Sequence, residues 1–85
     1  MTRQDAYRLI GIEREHQSAK WNREHQWGYG DCSGNMPEPV KVMVLTEEVG
    51  EVARAVHDQL HASDLRTELV QVAAVAVAWL ESLPS

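Results

Sequence analysis

Apolar residues recur at helical spacing through the middle of the chain. Each is separated from the next by three or four positions: Val42, Leu45, Val49, Val52, Val56 and Leu60. This spacing puts all of them on one face of an α-helix. Pro39 suits the first turn of that helix, because proline lacks the N–H that would remain unpaired there. The pattern predicts a helix over residues 39–61.

The segment before it predicts another helix and then a loop. Residues 2–25 carry a narrow apolar stripe among charged residues, and Thr2 followed by Asp5 is typical of an N-cap with an acid in the first turn. Glycine, asparagine and proline crowd residues 26–38 too closely for a regular element. We therefore expect a first helix over residues 2–25 and a loop up to the second.

A third helix is predicted over residues 63–82, because Ser63 followed by Asp64 is again typical of a helix start. From residue 72 to residue 80 it reads VAAVAVAWL, and a helix that is apolar on nearly every face is buried on all sides. A single three-helix chain of 85 residues is too small to bury it. The sequence therefore predicts one all-α domain, residues 1–85, whose second and third helices complete a four-helix-bundle core in a homo-oligomer, a dimer or a tetramer.

Charge and composition argue against several classes of protein. Eight Lys and Arg residues against 13 Asp and Glu residues give a net charge of −5, which argues against binding a nucleic-acid polymer or an anionic membrane. The apolar run of residues 72–80 is roughly half the ~20 residues that a membrane-spanning helix needs. Cys32 is the only cysteine, and residues 1–15 lack the apolar segment of a secretory signal. We expect a cytoplasmic protein.

Two glutamates are predicted in apolar surroundings. On a projection of about 100° per residue, Glu48 lies inside the apolar arc of the second helix and Glu51 lies at its edge. Glu68 lies inside the apolar face of the third helix, and Gln71 follows it by one turn. A carboxylate in apolar surroundings costs several kcal/mol unless it is paired or binds a metal. These acids therefore need a compensating group.

A divalent cation would satisfy these acids better than nearby basic residues, because Mg²⁺ prefers carboxylate oxygens and pairs with substrate phosphates. The alternative is that Glu47, Glu48 and Glu51 form a solvated acidic face, which is the commoner fate of glutamates on a helix. The basic residues of the second and third helices do not project to the sector of Glu48 and Glu68; they are Lys41, Arg54 and Arg66.

Residues 45–53, LTEEVGEVA, resemble the EExxE motif of the MazG-like all-α nucleoside triphosphate pyrophosphohydrolases. Glu68 and Gln71 occupy the place of that family's ExxD motif on the following helix. The resemblance covers residues 41–83, about half the chain, and residues 13–21 are less specifically similar to the N-terminal helix of small members.

This resemblance implies an obligate homo-oligomer that binds Mg²⁺, or Mn²⁺, and hydrolyses an NTP or dNTP to the monophosphate and pyrophosphate. Glu48 and Glu51 match metal ligands on one helix, and Glu68 matches the ligand from the next. Glu47 matches a further acid that holds a second metal or activates water, so Glu47 and Glu48 are the expected catalytic residues. Gln71 stands in place of the family's aspartate. Its neutral carbonyl oxygen is expected to be a weak ligand, which lowers metal affinity.

The substrate-binding residues are less clearly indicated. Trp21, Trp27 and Tyr29 could stack on a nucleobase, or the tryptophans could instead anchor the core and the loop. The triphosphate carries more charge than the cation neutralises, so basic residues are expected beside it. The candidates are Lys20, Lys41 and Arg54.

Two alternatives stay open. The first is a non-catalytic helical oligomer that binds a nucleotide or a partner protein, its activity weakened or lost through Gln71. The second is a transition-metal site that uses His57 and His61 at i and i+4, with His25 and Cys32 as further ligands. Two histidines near a helix C-terminus are more simply surface residues that suit the helix dipole.

Overall fold

The computed structural model describes residues 1–24, 32–58 and 61–85, and in these ranges the chain is all α-helical with no strand. The helices are α1 (Arg3–Glu24), α2 (Glu38–His57) and α3 (Ala62–Ser82). The predicted fold class is confirmed to that extent. Three aromatic candidates cannot be placed: Trp27 and Tyr29 lie outside the described residues, and so does the side chain of Trp21.

The first helix starts as its sequence predicts. The Thr2 hydroxyl accepts a hydrogen bond from the Asp5 N–H, and the Asp5 carboxylate accepts one from the Thr2 N–H, both at 3.1 Å. The Thr2 N–H, and after it the Thr2 hydroxyl, lower the pKa of the Asp5 carboxyl from its usual value by hydrogen bonding to the carboxylate. The pair forms a reciprocal N-cap that satisfies two donors at the helix end.

The boundary between α2 and α3 differs from the prediction. The second helix ends at His57 rather than at residue 61, with Asp58 as its C-cap. The third begins at Ala62 with His61 as its N-cap, so Ser63 lies inside the helix. The reason is that the His61 carbonyl accepts hydrogen bonds from the N–H groups of Asp64 (2.9 Å) and Leu65 (3.2 Å), so the helix begins at Ala62, one residue before the predicted start.

The third helix is the centre of the fold. It packs against α1 on one side and α2 on another, while α1 and α2 do not pack against each other in the described ranges. Ala74, in the middle of α3, is fully buried. A small core forms between α2, α3 and the turn before α2, and its members are Cys32, Met36, Val75 and Ala78 with Val40, Val44 and Leu45 packed on them.

Polar contacts fix α2 to the C-terminal end of α3. Lys41 is only 2% exposed, and its Nζ donates to Ser82 Oγ at 2.7 Å. The Ser82 hydroxyl donates in turn to the Trp79 carbonyl, and Trp79 Nε1 donates to the Glu38 carboxylate. A cation is favoured at this place, because the last carbonyls of a helix carry partial negative charge.

All three helices leave apolar side chains exposed. On α2 these are Met43 and three valines spaced by seven residues, Val42, Val49 and Val56; on α3 they are Leu69 and Leu80, and on α1 they are Tyr7 and Ile12. The third helix is therefore not buried on all sides within one chain. In the described residues, no helix combines the length and the apolar character needed to cross a membrane.

An ion pair joins α1 to the last turn of α3, and it generates a prediction. Arg14 is 12% exposed, and its Nε and Nη2 donate to the two Glu81 oxygens at 2.8 and 3.4 Å. Because such a two-point pair orients both partners, Arg14→Met should lower the free energy of unfolding by about 1 kcal/mol, or Tm by roughly 4–8 °C.

The matched control is Arg8→Met on the same helix, because Arg8 is well exposed and pairs with Asp5 only at 3.4 Å. It should leave Tm nearly unchanged in the same thermal melt. Equal effects of the two substitutions would show that the Arg14 pair does not hold α1 on α3.

Candidate functional site

Acidic residues of all three helices lie close enough to one another to interact electrostatically. Glu48 of α2 is the centre of the group and is half-buried. Its pKa is raised, first by burial and then by the negative charges of neighbouring glutamates. The neighbours, in order of their effect, are Glu68 of α3, Glu51 of α2, Glu13 of α1 and Glu47 of α2.

The position of Glu48 follows from the heptad spacing of α2. Lys41, Glu48 and Ala55 are seven residues apart, which is nearly two helical turns, so they lie along one line of the helix. Lys41 and Ala55 are buried, so this line faces α3. Glu48 thus occupies a position where a helix of this kind normally carries an apolar residue. Glu47 and Glu51 lie to one side of the line and are exposed.

Gln71 lies between two of these acids. Its amide orientation is assigned from its neighbours, as is usual for glutamine. With Nε2 turned to the acids, it donates to Glu68 Oε2 at 3.1 Å and to Glu48 Oε2 at 3.2 Å. The main-chain carbonyl of Gln71 accepts a hydrogen bond from Gln17 Nε2 of α1 at 3.4 Å. One side chain therefore links the carboxylates of α2 and α3, and its backbone is held from α1.

Glu13 is a site residue that the sequence analysis missed. Its side chain is 22% exposed, and its only ion pair among the described residues is with His16 at 3.9 Å. A signal for it was present, because Glu13 follows Leu9 by four residues and Ile10 by three, which puts it on the apolar side of α1. It also lines a groove of about 180 Å³ between α1 and α3, together with Leu9, Ile12, Arg66, Thr67 and Val70.

The structure brings some of the predicted residues together and separates others. Glu48, Glu68 and Gln71 are in contact, and Glu47 and Glu51 lie beside them. Arg54 is exposed, at 3.9 Å from Glu51 and 3.7 Å from Asp58.

Two predicted basic residues do not join the acids. Lys41 lies two turns before Glu48 on α2, and its ammonium points to Ser82 instead. Lys20 is exposed near the end of α1 and forms no ion pair with the acids of the described residues. The burial of Lys41 was not apparent from the sequence, because it depends on a hydrogen bond to Ser82, which lies 41 residues further along the chain.

The transition-metal alternative has little geometric support. Cys32 is buried in the core, with its Sγ at 3.9 Å from Met36 Sδ. His57 is exposed, and its ring faces Asp58 at 3.1 Å. His25 lies outside the described residues.

The donor set suits a hard divalent cation by its chemistry, since all the acids offer carboxylate oxygens. As their side chains stand, however, no three His, Cys, Asp or Glu residues within the described ranges are arranged to hold a metal ion. The Gln71 amide lies between Glu48 and Glu68 and donates to both of them. A cation bound by these same two oxygens would require the Gln71 NH₂ group to leave them.

No protein-family model, curated protein or solved structure matches this chain. In the described ranges, the fold and the site define a three-helix chain with a cluster of carboxylates that come from all three helices.

The raised pKa of Glu48 gives a prediction about pH. A carboxyl group with a raised pKa binds its proton more tightly in the folded chain than in the unfolded one. Stability therefore falls as pH rises from the ordinary to the raised pKa, and stays lower above it. In EDTA at pH 7, Glu48→Gln should raise Tm by roughly 2–5 °C. That gain should vanish near about pH 3.5, where the Glu48 carboxyl is protonated in both the folded and the unfolded wild-type chain.

The control is Glu15→Gln, which removes the same charge from an exposed position of α1. It should change Tm little at either pH. If Glu48→Gln lowered Tm across the whole range, the hydrogen bonds from Gln71 would outweigh the cost of burying the Glu48 charge.

Proposed function

We propose that the protein is a Mg²⁺-dependent nucleotide pyrophosphohydrolase of the MazG-like type. It would cleave an NTP or dNTP to the monophosphate and pyrophosphate, in the cytoplasm. The observation that carries the proposal is the pairing of Glu48 and Glu68 through Gln71 in the seam between α2 and α3. Carboxylates at core-facing positions are costly, and a site that binds a cation and a polyphosphate gives a reason for them.

The acids would hold the cation from two helices. Glu48 and Glu51 lie one turn apart on α2, and Glu68 faces Glu48 from α3. Glu13 adds a fourth carboxylate from α1. When bound, Mg²⁺ or Mn²⁺ neutralises charge on the phosphates and on the leaving pyrophosphate.

The remaining residues have roles that follow from their exposure. Glu47 is exposed beside Glu48, so its carboxylate can orient a water molecule and accept its proton. Arg54 is exposed one turn after Glu51 and can approach the outer phosphates. Trp21, Trp27 and Lys20 remain predicted contacts of the nucleoside and the phosphates.

A second copy of the chain is the proposed partner. The exposed stripe of α2, Val42, Val49 and Val56, carries no charge. Thr46 lies in the same stripe, and its hydroxyl donates to the Val42 carbonyl at 2.7 Å, so that it needs no outside partner. Gly50 beside it has open space around it. Together with Leu69 and Leu80 of α3, this surface would complete a four-helix core in a homo-oligomer.

The alternative function is a helical oligomer without catalysis that binds a nucleotide or a partner protein. One observation favours it: Gln71 already supplies hydrogen bonds to Glu48 and Glu68 without a cation. In that case Glu48 and Glu68 would be stabilised by Gln71 without any catalytic role, and no nucleotide would be hydrolysed.

The first test is pyrophosphate release from a panel of NTPs and dNTPs with Mg²⁺ or Mn²⁺. We expect metal-dependent release from at least one nucleotide, and a loss of 10²-fold or more in Glu48→Gln and Glu68→Gln, because each removes a charged oxygen donor from the site. The control Glu15→Gln should keep the wild-type rate.

The absence of release from every nucleotide, with protein that remains folded, would contradict the enzyme and favour the alternative. Release that survives in both acid variants would contradict the proposed site while leaving the activity to another part of the chain.

The oligomer has its own test by light scattering at micromolar concentration. We expect the wild type to be a dimer or a tetramer. Val49→Glu and Leu80→Glu should each yield monomers, because each buries a charge in an apolar interface. Tyr7→Glu, which alters an exposed side chain of α1, should keep the wild-type mass. A monomeric wild type would contradict the four-helix core.

A further inference from the structure

Gln71 faces the acids with donors rather than with its carbonyl oxygen. Both hydrogen bonds, at 3.1 Å to Glu68 and 3.2 Å to Glu48, come from the same Nε2. An amide nitrogen carries two N–H donors and no acceptor, so one group can serve two carboxylates. In the other orientation the Gln71 carbonyl oxygen would face two negatively charged oxygens, which is unfavourable.

The backbone of Gln71 is held independently of its side chain. Gln17 Nε2 donates to the Gln71 carbonyl at 3.4 Å, which ties this turn of α3 to α1. The two carboxylates on either side come from different helices, so the amide also bridges α2 and α3.

We propose that the Gln71 NH₂ group is an internal substitute for the cation: it joins Glu48 and Glu68 in the cation-free protein, and a divalent cation must displace it to bind. The inference rests on the proposed function, since it concerns the same acids. It changes the expected role of Gln71 from a weak metal ligand to a competitor of the metal.

Competition between the Gln71 NH₂ group and the cation predicts the direction in which a substitution of Gln71 changes the affinity for the cation. Removing the NH₂ group destabilises the cation-free state but not the state in which a cation already joins the acids. By linkage, a substitution that raises the free energy of only the cation-free state tightens cation binding by the same amount. A ligand role for the carbonyl oxygen predicts the opposite, because its loss would weaken binding.

The test measures Tm in EDTA and the affinity for Mg²⁺ alone by calorimetry, with the full chain. Gln71→Met keeps the length of the side chain but has no N–H donor. It should lower Tm in EDTA by about 4–8 °C and tighten Mg²⁺ binding about tenfold. Gln71→Glu has nearly the same shape with an added charge, and it should show both effects more strongly.

The matched control is Gln17→Met, which removes the hydrogen bond to the Gln71 backbone and leaves the acids unchanged. It should not alter the affinity for Mg²⁺. Weaker or unchanged Mg²⁺ binding in Gln71→Met would overturn the competition by Gln71. It would not contradict the proposed pyrophosphohydrolase activity, because the acids could still bind the cation. If neither the wild type nor Gln71→Glu bound Mg²⁺, both the proposed function and the competition would be overturned.

Discussion

The hydrogen-bonded group of Glu48, Gln71 and Glu68 is the constraint on which the arrangement of the chain depends. Two carboxylates in the seam between α2 and α3 repel each other and lose hydration, and burial raises the pKa of one of them. A single amide with two donors offsets part of that cost by joining both acids. The seam can therefore stay closed with acids in positions that helix packing usually gives to apolar residues.

The central position of α3 makes the cluster of acids possible. Both α1 and α2 pack on α3. Glu13 of α1 and Glu68 of α3 therefore come close enough to Glu48 of α2 to raise its pKa. The Arg14–Glu81 pair and the Lys41–Ser82 contact hold α1 and α2 against the C-terminal part of α3.

The second helix separates its two roles on two faces. Lys41, Glu48 and Ala55 face α3, and the exposed valines each follow one of them by a single residue. One residue corresponds to about 100° around a helix, so the apolar stripe turns away from the seam. A second copy bound to that stripe would leave the Glu48 face of α2 packed against α3 of the same chain. The proposed oligomer and the proposed site are therefore compatible on one short helix.

Local sequence determined the three helices, the Thr2 cap and the position of Glu48 and Glu68 on the apolar face of their own helices, because helical spacing and capping act over a few residues. Tertiary structure decided the rest. The donor that faces the acids, the approach of Glu13 to Glu48 and the burial of Lys41 depend on which helices pack together, and single-helix patterns do not contain that information. The early start of α3 depends on the His61 carbonyl, whose hydrogen bonds override the preference of Ser63 for a cap.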